Sequence, residues 1–399
     1  MQFQQTSDRT QQSPKGAPAR PLRGASRPQL RSRQPGKQHG FSVIELMLAL
    51  ALGLVVVTGI VNLFVGNSQT YTILNGQARL QENARFGFEF ITRAARTAGY
   101  FGCAPEFDNI VNTLNAPDWD SMPEFDLSQP VQGHEGEAGG TWAPVLSSLP
   151  RTVGGASANV YIPGNGVDIS TIVDETDVLV LRSLAPPARR LTANLGAAGN
   201  PVVEAPGNNS DFAVGDIVMI ADCEQGAMFR ITGAAVAANE VTLAHATAGT
   251  GVYENSATVD GPAGPIPRQL SVIGQPYEKD TIVAGVEVTI FFIAPSATVD
   301  NQGNTPNALW RKAGTDAPQE LIAGIDDLQL LYGVDSTLAD GVPNANQYMP
   351  IDDVPDVNQI VSLRVTLAVN SVDAVTDDGS QLQRTFTKTI LLRNASPGA

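Results

Sequence analysis

The longest apolar run of the chain lies near its N-terminus and covers residues 41–65. Only four residues with polar side chains interrupt it: Ser42, Glu45, Thr58 and Asn62. As a helix these 25 residues would extend about 37 Å, and about 20 residues suffice to cross the apolar core of a bilayer. We therefore predict a membrane-spanning helix over residues 41–65.

A different pattern follows over residues 66–98. Apolar or small side chains recur there every three or four positions, with charged residues between them: Ile73, Leu80, Ala84, Ile91 and Ala95. This period is typical of an amphipathic helix that buries one face. No proline occurs from residue 41 to residue 104, and Gly99 offers a C-terminal stop. We predict one long helix whose first half fits lipid or a helical bundle and whose second half packs against a globular head.

From Gly99 onward the chain is rich in Gly, Pro, Asn and Asp, with short β-branched runs between these turn signals. The runs predict strands at residues 178–184, 216–220, 229–231, 241–244, 282–293, 309–312, 328–332, 360–369 and 384–392. Residues 108–170 and 191–211 are predicted to be long surface loops. The fold class is therefore α+β, with a β-rich head over residues 99–399. The alternative is a head of two lobes divided near residues 255–267.

Charge divides the chain at the same place as hydropathy. Residues 1–40 contain eight basic residues and one acid, whereas residues 41–399 carry a net charge of −22. A basic flank before an apolar helix predicts a cytoplasmic N-terminus and places the acidic head in the periplasm. A nucleic-acid-binding arm is the alternative for the basic flank, but Phe3 is its one aromatic residue. Because stacking has so little to work with, we expect no nucleic-acid partner.

Glu45 is the one charged residue within the apolar run. A charge at the centre of a membrane helix costs on the order of 2.5–3.5 kcal/mol on insertion scales, and less near the end, where Glu45 lies. A carboxylate in such surroundings usually requires a cationic partner. The residues alone thus indicate an unpaired acid at the edge of a membrane helix, preceded by the small residue Gly40.

The segment from Gly40 to Met47 resembles the class III signal of type IV prepilins. The resemblance implies cleavage after Gly40, N-methylation of the new N-terminal Phe41, and pairing of Glu45 with the amino terminus of a neighbouring subunit. It implies a leader over residues 1–40 and the lollipop layout of pilins, with a long N-terminal helix on a globular head.

Four later segments resemble the large minor pilins of the PilW family: residues 99–103, 218–223, 326–335 and 363–367. This resemblance implies a structural protein rather than an enzyme, with no cofactor. The implied role is assembly of the type IV pilus, at or near its tip, with a contribution to twitching motility and adhesion. The implied partners are the prepilin peptidase, the major pilin, other minor pilins and a tip adhesin. The implied location is the inner membrane and then the pilus at the cell surface.

The N-terminal region has three alternative interpretations. A cleaved secretory signal peptide would have a shorter apolar core and a small-residue cleavage site, which residues 66–69 do not provide. An uncleaved anchor carrying a periplasmic binding module is possible, but it leaves Glu45 unexplained. A minor pseudopilin of type II secretion would carry the same signal, although the size of the head and residues 99–103 favour the pilus.

Candidate chemistry in the head is sparse. Two cysteines, Cys103 and Cys223, favour one disulfide in an oxidising periplasm, with two buried free thiols as the alternative. His134 and His245 lie in no convincing catalytic set, so no catalytic residue is predicted. The Asp- and Asn-rich residues 335–353 could offer oxygen atoms to calcium, but their spacing matches no EF-hand and favours turns, so no metal site is predicted.

Overall fold

The computed structural model describes residues 40–102, 110–115, 125–144, 146, 169–196, 198–247, 249, 251, 253–261, 264–271, 275–314, 316–337, 344–376 and 378–394. The chain divides into two compact units, Met1–Asn62 and Leu63–Ala399. Helix α1, Val43–Thr97, contributes residues to both. The predicted α+β class is confirmed, since one long helix precedes a β-rich head. The proposed limits of the leader, the helix halves and the head stay predictions.

Helix α1 begins where the sequence pattern places it. The backbone N–H groups of Glu45 and Leu46 both donate to the Ser42 carbonyl oxygen, at 3.0 and 3.1 Å. The helix ends at Thr97, and Gly99 follows in the left-handed region with φ of 77°. The Gly99 N–H donates to the carbonyl oxygen of Arg182 at 2.9 Å, which ties the helix end to the head. The predicted glycine stop is thus confirmed.

The second half of α1 buries one stripe, as its period predicts. The buried residues are spaced three and four apart or adjacent: Gly76, Leu80, Ala84, Gly87, Phe88, Ile91, Thr92 and Ala95. They join an apolar core with side chains of the head, including Leu328, Leu363 and Leu367. This shared core holds the helix on the head. Because Gly76 and Gly87 have no Cβ atom, the helix backbone can approach the head closely at these two positions.

The described part of the head contains eighteen strands. They are β1 (Ile110–Asn112), β2 (Val131–Glu137), β3 (Thr141–Ala143), β4 (Val178–Arg190), β5 (Val202–Glu204), β6 (Ile217–Ala221), β7 (Gly226–Arg230), β8 (Gly233–Ala237), β9 (Glu240–Ala244), β10 (Thr258–Gly261), β11 (Gly264–Pro267), β12 (Ile282–Pro295), β13 (Asn307–Ala313), β14 (Gln319–Ala323), β15 (Ile325–Val334), β16 (Gln347–Met349), β17 (Ile360–Asn370) and β18 (Gln383–Leu391).

The largest sheet has nine strands and is organised around β12. Its main path is β1-β7-β6-β12-β4-β2-β3, and β13 pairs with both β12 and β14. Strand β12 is buried on both faces: Phe291 and Ile293 enter the core beneath α1, whereas Ile290 and Phe292 enter a second core. The sheet therefore separates these two cores.

The segment between β4 and β12 is a long insertion. It contains a three-stranded sheet in the order β5-β9-β8 and the two-stranded β10–β11 hairpin. A third core lies beneath it, formed by residues such as Val203, Phe229, Val241 and Leu243.

A four-stranded antiparallel sheet, in the order β16-β15-β17-β18, covers the buried stripe of α1. Asp177 connects it to the nine-stranded sheet. Its Oδ1 atom accepts from the Gly136 N–H in β2 at 2.9 Å, and its Oδ2 atom accepts from the Leu330 N–H in β15 at 2.7 Å. Burial raises the pKa of Asp177 to about 7. Next to this bridge, Gly133 leaves room for the buried Tyr332 hydroxyl, 1.8 Å from where a Cβ atom would lie.

All nine predicted strands are present, and their limits shift by at most three residues except at the end of β4, which lies six residues further on. The loop predictions are partly wrong, because described residues within 108–170 form β1, β2 and β3, and residues within 191–211 form β5. Strand β2 was not predicted because its sequence, Val-Gln-Gly-His-Glu-Gly-Glu, is polar and rich in glycine. Such a strand is stabilised by its position beside β4 rather than by its own propensity.

Candidate functional site

The candidate site is the N-terminal segment around the first turns of α1. Every large apolar side chain from Phe41 to Val65 is between 45 and 84% exposed. Exposing this much apolar surface to water would cost on the order of 25 kcal/mol, at about 1.5 kcal/mol or more for each large side chain. The segment therefore requires lipid or other apolar helices around it.

Gly40 and Phe41 lie just before the helix. Both residues are exposed, and no heavy atom lies within 4 Å of the position where a Cβ atom of Gly40 would be. A peptide bond in such a position is accessible to a protease. Residues 1–39 of the predicted leader lie outside the described residues, while its last residue, Gly40, is described.

Glu45 lies in the first turn of α1. It is exposed, and within the described ranges its carboxylate has no ion-pair partner. The position is favourable for an acid, because the unpaired N–H groups at a helix N-terminus carry partial positive charge. Phe41 precedes Glu45 by four residues, so an α-amino group on Phe41 would lie at the same end of the helix. The predicted pairing needs two groups, the Glu45 carboxylate and the α-amino group that cleavage would create on Phe41, and both belong to this end of the helix.

The second half of α1 is held on the head by polar contacts at the edges of its buried stripe. The Arg79 guanidinium forms an ion pair with Asp373 at 3.1 Å, and the Asn83 side-chain amide donates to the Ala323 carbonyl oxygen at 3.1 Å. The helical period predicts that Arg79 lies on the solvent-facing side of the helix. In the structure it is exposed and also pairs with Asp373. The other basic residues of this half are exposed on the helix: Arg85, Arg93 and Arg96.

Cys223 follows β6 and is disulfide-bonded. The other cysteine of the sequence, Cys103, lies outside the described residues. The pairing of the two stays a prediction.

The two described histidines are buried in structural roles. The His134 Nδ1–H donates to the Pro144 carbonyl oxygen at 2.7 Å, and burial lowers the pKa of His134 to about 4. The His245 Nε2–H donates to Gly199 at 2.8 Å, and Nδ1 accepts from Arg268. Burial lowers the pKa of His245 as well. Both rings are therefore neutral near pH 7.

The described part of the oxygen-rich segment 335–353 consists of a turn after Asp335, strand β16 and a short 3-10 helix, Ile351–Asp353. Asp335 Oδ1 accepts from the backbone and the hydroxyl of Thr337, both at 2.8 Å, and Oδ2 accepts from the Asn344 N–H at 2.8 Å. These donors lower the pKa of Asp335. In the described ranges, no group of three or more His, Cys, Asp or Glu side chains is arranged to hold a metal ion.

Two family models match this chain, one at the N-terminal segment and one in the head. The model of the prokaryotic N-terminal methylation motif matches residues 35–61, which include Gly40, Phe41 and Glu45. The model of type IV pilus-assembly protein W matches residues 297–390. The predicted segments 326–335 and 363–367 fall within the second match, while 99–103 and 218–223 fall outside it. No curated protein matches the chain.

The second match coincides with a structural region. It covers β13 to β17 and most of β18, and the apolar side chains of β15 and β17 in this region pack against the buried stripe of α1. By length and composition, α1 is also the one described helix that could span a membrane. Both matched families are structural components of pili rather than enzymes. The methylation motif overlaps the start of α1 and the PilW match surrounds its second half, so over these two regions the chain resembles PilW-family minor pilins of the type IV pilus.

Proposed function

We propose that the protein is a minor pilin that a prepilin peptidase cuts after Gly40 and that joins the pilus at or near its tip, where it primes assembly. Twitching motility and adhesion would depend on it through the pilus. The observation that carries the proposal is the uncovered apolar helix from Phe41 to Val65, which begins with an accessible glycine and bears one acid. In this proposal the N-terminus is cytoplasmic before cleavage and the head is periplasmic.

The driving forces follow from the two halves of α1. Because the first half is apolar on all sides, it can leave lipid for a bundle of similar helices without exposing apolar surface to water. Leaving lipid for such a bundle is costly for an unpaired Glu45 carboxylate. The amino group created before Phe41 by cleavage supplies the cation, and Glu45 of one subunit pairs with the Phe41 amine of its neighbour.

The first test is mass spectrometry of the mature protein from piliated cells. The expected N-terminus is a methylated Phe41. An intact leader would contradict the proposal and favour the uncleaved anchor.

The second test is Glu45→Ala, compared with Glu89→Ala as a matched control. Glu89 is an exposed acid on the head-packed half of the same helix. We expect Glu45→Ala to remove the protein from sheared pili and to reduce surface pili and twitching, while Glu89→Ala leaves all three unchanged. Normal piliation with Glu45→Ala would contradict the pairing mechanism.

A further inference from the structure

Strand β8 is an unprotected edge of the insertion between β4 and β12. It is the last strand of the β5-β9-β8 sheet and pairs with β9 alone among the described strands. Its sequence is Gly233-Ala234-Ala235-Val236-Ala237, without a charge or a proline. An edge of this kind presents a row of unpaired backbone donors and acceptors to the surroundings.

The turn at the end of β8 fixes which backbone groups point outward. Ala238 and Asn239 have φ of 53° and 64°, the positive values of a two-residue type I′ hairpin. The flanking residues Ala237 and Glu240 therefore form a hydrogen-bonded pair, and the bonding alternates along the strand. It follows that the N–H and C=O groups of Ala234 and Val236 point away from β9. No backbone hydrogen bond from these two residues occurs in the described part of the chain beyond the β8–β9 ladder.

The side chains of the same two residues extend the core of the insertion. Ala234 and Val236 lie opposite the buried Leu243 and Val241, and Ala234 packs against that core. Val236 is nevertheless 38% exposed, because no strand lies beyond it in the described structure. A neighbouring strand with apolar residues on this side would complete the burial of Val236.

The other described edge strands are protected or short. β18 carries Arg384 and Lys388, β14 carries Glu320, β10 includes Asp260 in its sequence, and β11 contains two prolines. Four more edges have only three residues each: β1, β3, β5 and β16. Natural sheets use such charges, prolines and short lengths to prevent pairing with other chains. β8 has none of these devices over five residues.

The β8–β9 hairpin is also fixed in position. Asn239 accepts from the Ala205 N–H at 2.6 Å through its carbonyl oxygen and from the Gly207 N–H at 3.1 Å through Oδ1. Its own N–H donates to Asn208 Oδ1 at 2.6 Å. Because the hairpin tip is held by three hydrogen bonds, little conformational freedom remains to be lost when a strand is added.

We propose that β8 receives an extended strand from a different pilus subunit, which adds to the sheet through the outward groups of Ala234 and Val236. The inference rests on the proposed function, since that function supplies the partner class. The added strand has large apolar residues at alternate positions on the side of Val236. A basic residue on its other face can reach across the small Ala237 to Glu240, an exposed acid on β9 without an ion-pair partner in the described residues.

A second copy of this chain fits the edge less well. Antiparallel pairing of two β8 strands about Ala235 would place Ala234 opposite Val236. The side chain facing Val236 would then be the small Ala234 of the second copy, which would leave the gap beside Val236 unfilled. The backbone groups dictate a strand, and the side chains favour a strand of different sequence.

The test uses the full-length protein in piliated cells. A photo-crosslinking amino acid is placed at position 236, and the same residue at position 214 is the control, since Val214 is 64% exposed but lies in a turn rather than in a strand. We expect an adduct with another pilus subunit from position 236 and none from position 214. Absence of an adduct at 236, equal adducts at both positions, or an adduct with a second copy would overturn the proposal.

A pair of substitutions measures the contribution of the edge. Val236→Lys adds a charge of the kind that protects natural edges, and Val214→Lys is the matched control. We expect Val236→Lys to reduce recovery of the protein in sheared pili by at least about ten-fold, the effect of losing one or two net hydrogen bonds, and the control to have no effect. Equal melting temperatures of both variants and the wild type would show that the head is intact. If the wild-type protein is absent from pili, the proposed function fails; if it is present and Val236→Lys has no effect, only the strand proposal fails.

Discussion

Asp177→Asn is the substitution that most directly tests how the two sheets of the head are joined. The Asp177 side chain is 1% exposed and accepts one backbone N–H from each sheet. Asparagine keeps one acceptor oxygen but turns an amide N–H₂ toward the other backbone donor. Leaving one buried donor unsatisfied costs about 1–3 kcal/mol of folding free energy. We therefore expect a loss of this size at pH 4, where the wild-type carboxyl group is protonated.

The pH dependence of folding stability distinguishes the contribution of Asp177 from that of the nearby His134. Folding raises the pKa of Asp177 from 3.8 to about 7, so the folded state binds more protons than the unfolded chain between pH 4 and 7. Stability from this group therefore falls as pH rises, by roughly 4 kcal/mol in total. Folding lowers the pKa of His134 from 6.5 to about 4, so its effect has the opposite sign between pH 4 and 6.5 and amounts to roughly 3 kcal/mol.

In the wild type these two slopes oppose each other. Each is at most about 1.4 kcal/mol per pH unit. We expect the stability of Asp177→Asn to rise with pH between 4 and 6.5, because the His134 slope remains. We expect the stability of His134→Gln to fall with pH between 4 and 7, because the Asp177 slope remains. Groups common to all three proteins cancel in the differences.

Urea unfolding of the full-length protein in detergent, followed by tryptophan fluorescence, measures these differences. Trp142 is a local reporter, because its Nε1–H donates to the carbonyl oxygen of Thr176 at 2.9 Å, next to Asp177. The free energy of unfolding at pH 4, 5, 6 and 7 gives the slopes. Parallel curves for the wild type and Asp177→Asn would refute the reasoning, since they would show that Asp177 is ionised alike in both states.

Two further predictions concern glycines and a buried hydroxyl. Gly133→Ala should destabilise the head by at least about 1–3 kcal/mol, because the new Cβ atom would lie 1.8 Å from the hydroxyl of the fully buried Tyr332. Tyr332→Phe alone should be neutral or stabilising, since that hydroxyl has no hydrogen-bond partner in the described structure, and it should partly rescue Gly133→Ala. Gly99→Ala should destabilise more than Gly139→Ala: both have positive φ, but only at Gly99 would a Cβ atom meet the Asn394 carbonyl oxygen, at 2.0 Å. Melting temperatures of the four single variants and of the Gly133→Ala/Tyr332→Phe double variant would check these predictions, and equal losses at the two positive-φ glycines would contradict the contact with Asn394.

The sequence predicted the parts of the fold that depend on local periodicity. Helix α1 and the central strands β4, β12, β15 and β17 have strong apolar patterns, and their positions are confirmed. β4 continues to Arg190, beyond the predicted end at residue 184, although Pro186 and Pro187 suggest a break. β8 was missed because its glycine and alanines have low strand propensity, so that pairing with β9 decides its conformation.

The N-terminal site could be located from the sequence because its signals are contiguous. Gly40, Phe41 and Glu45 fall within six residues, and the apolar run identifies their surroundings. The Asp177 bridge could not be located in this way, since it joins segments that are far apart in the chain. Nor does any period indicate that Lys312 and Arg182 are buried within strands, because charged side chains in strands usually face solvent.

The partners of the second half of α1 come from the far end of the sequence. Asn83 bonds to a residue 240 positions later, and Arg79 pairs with one 294 positions later. During synthesis the apolar stripe of α1 therefore stays uncovered until these later strands have been made. Truncated products keep that stripe bare and remain recognisable to chaperones and proteases. The order of the strands thus links completion of synthesis to burial of this stripe.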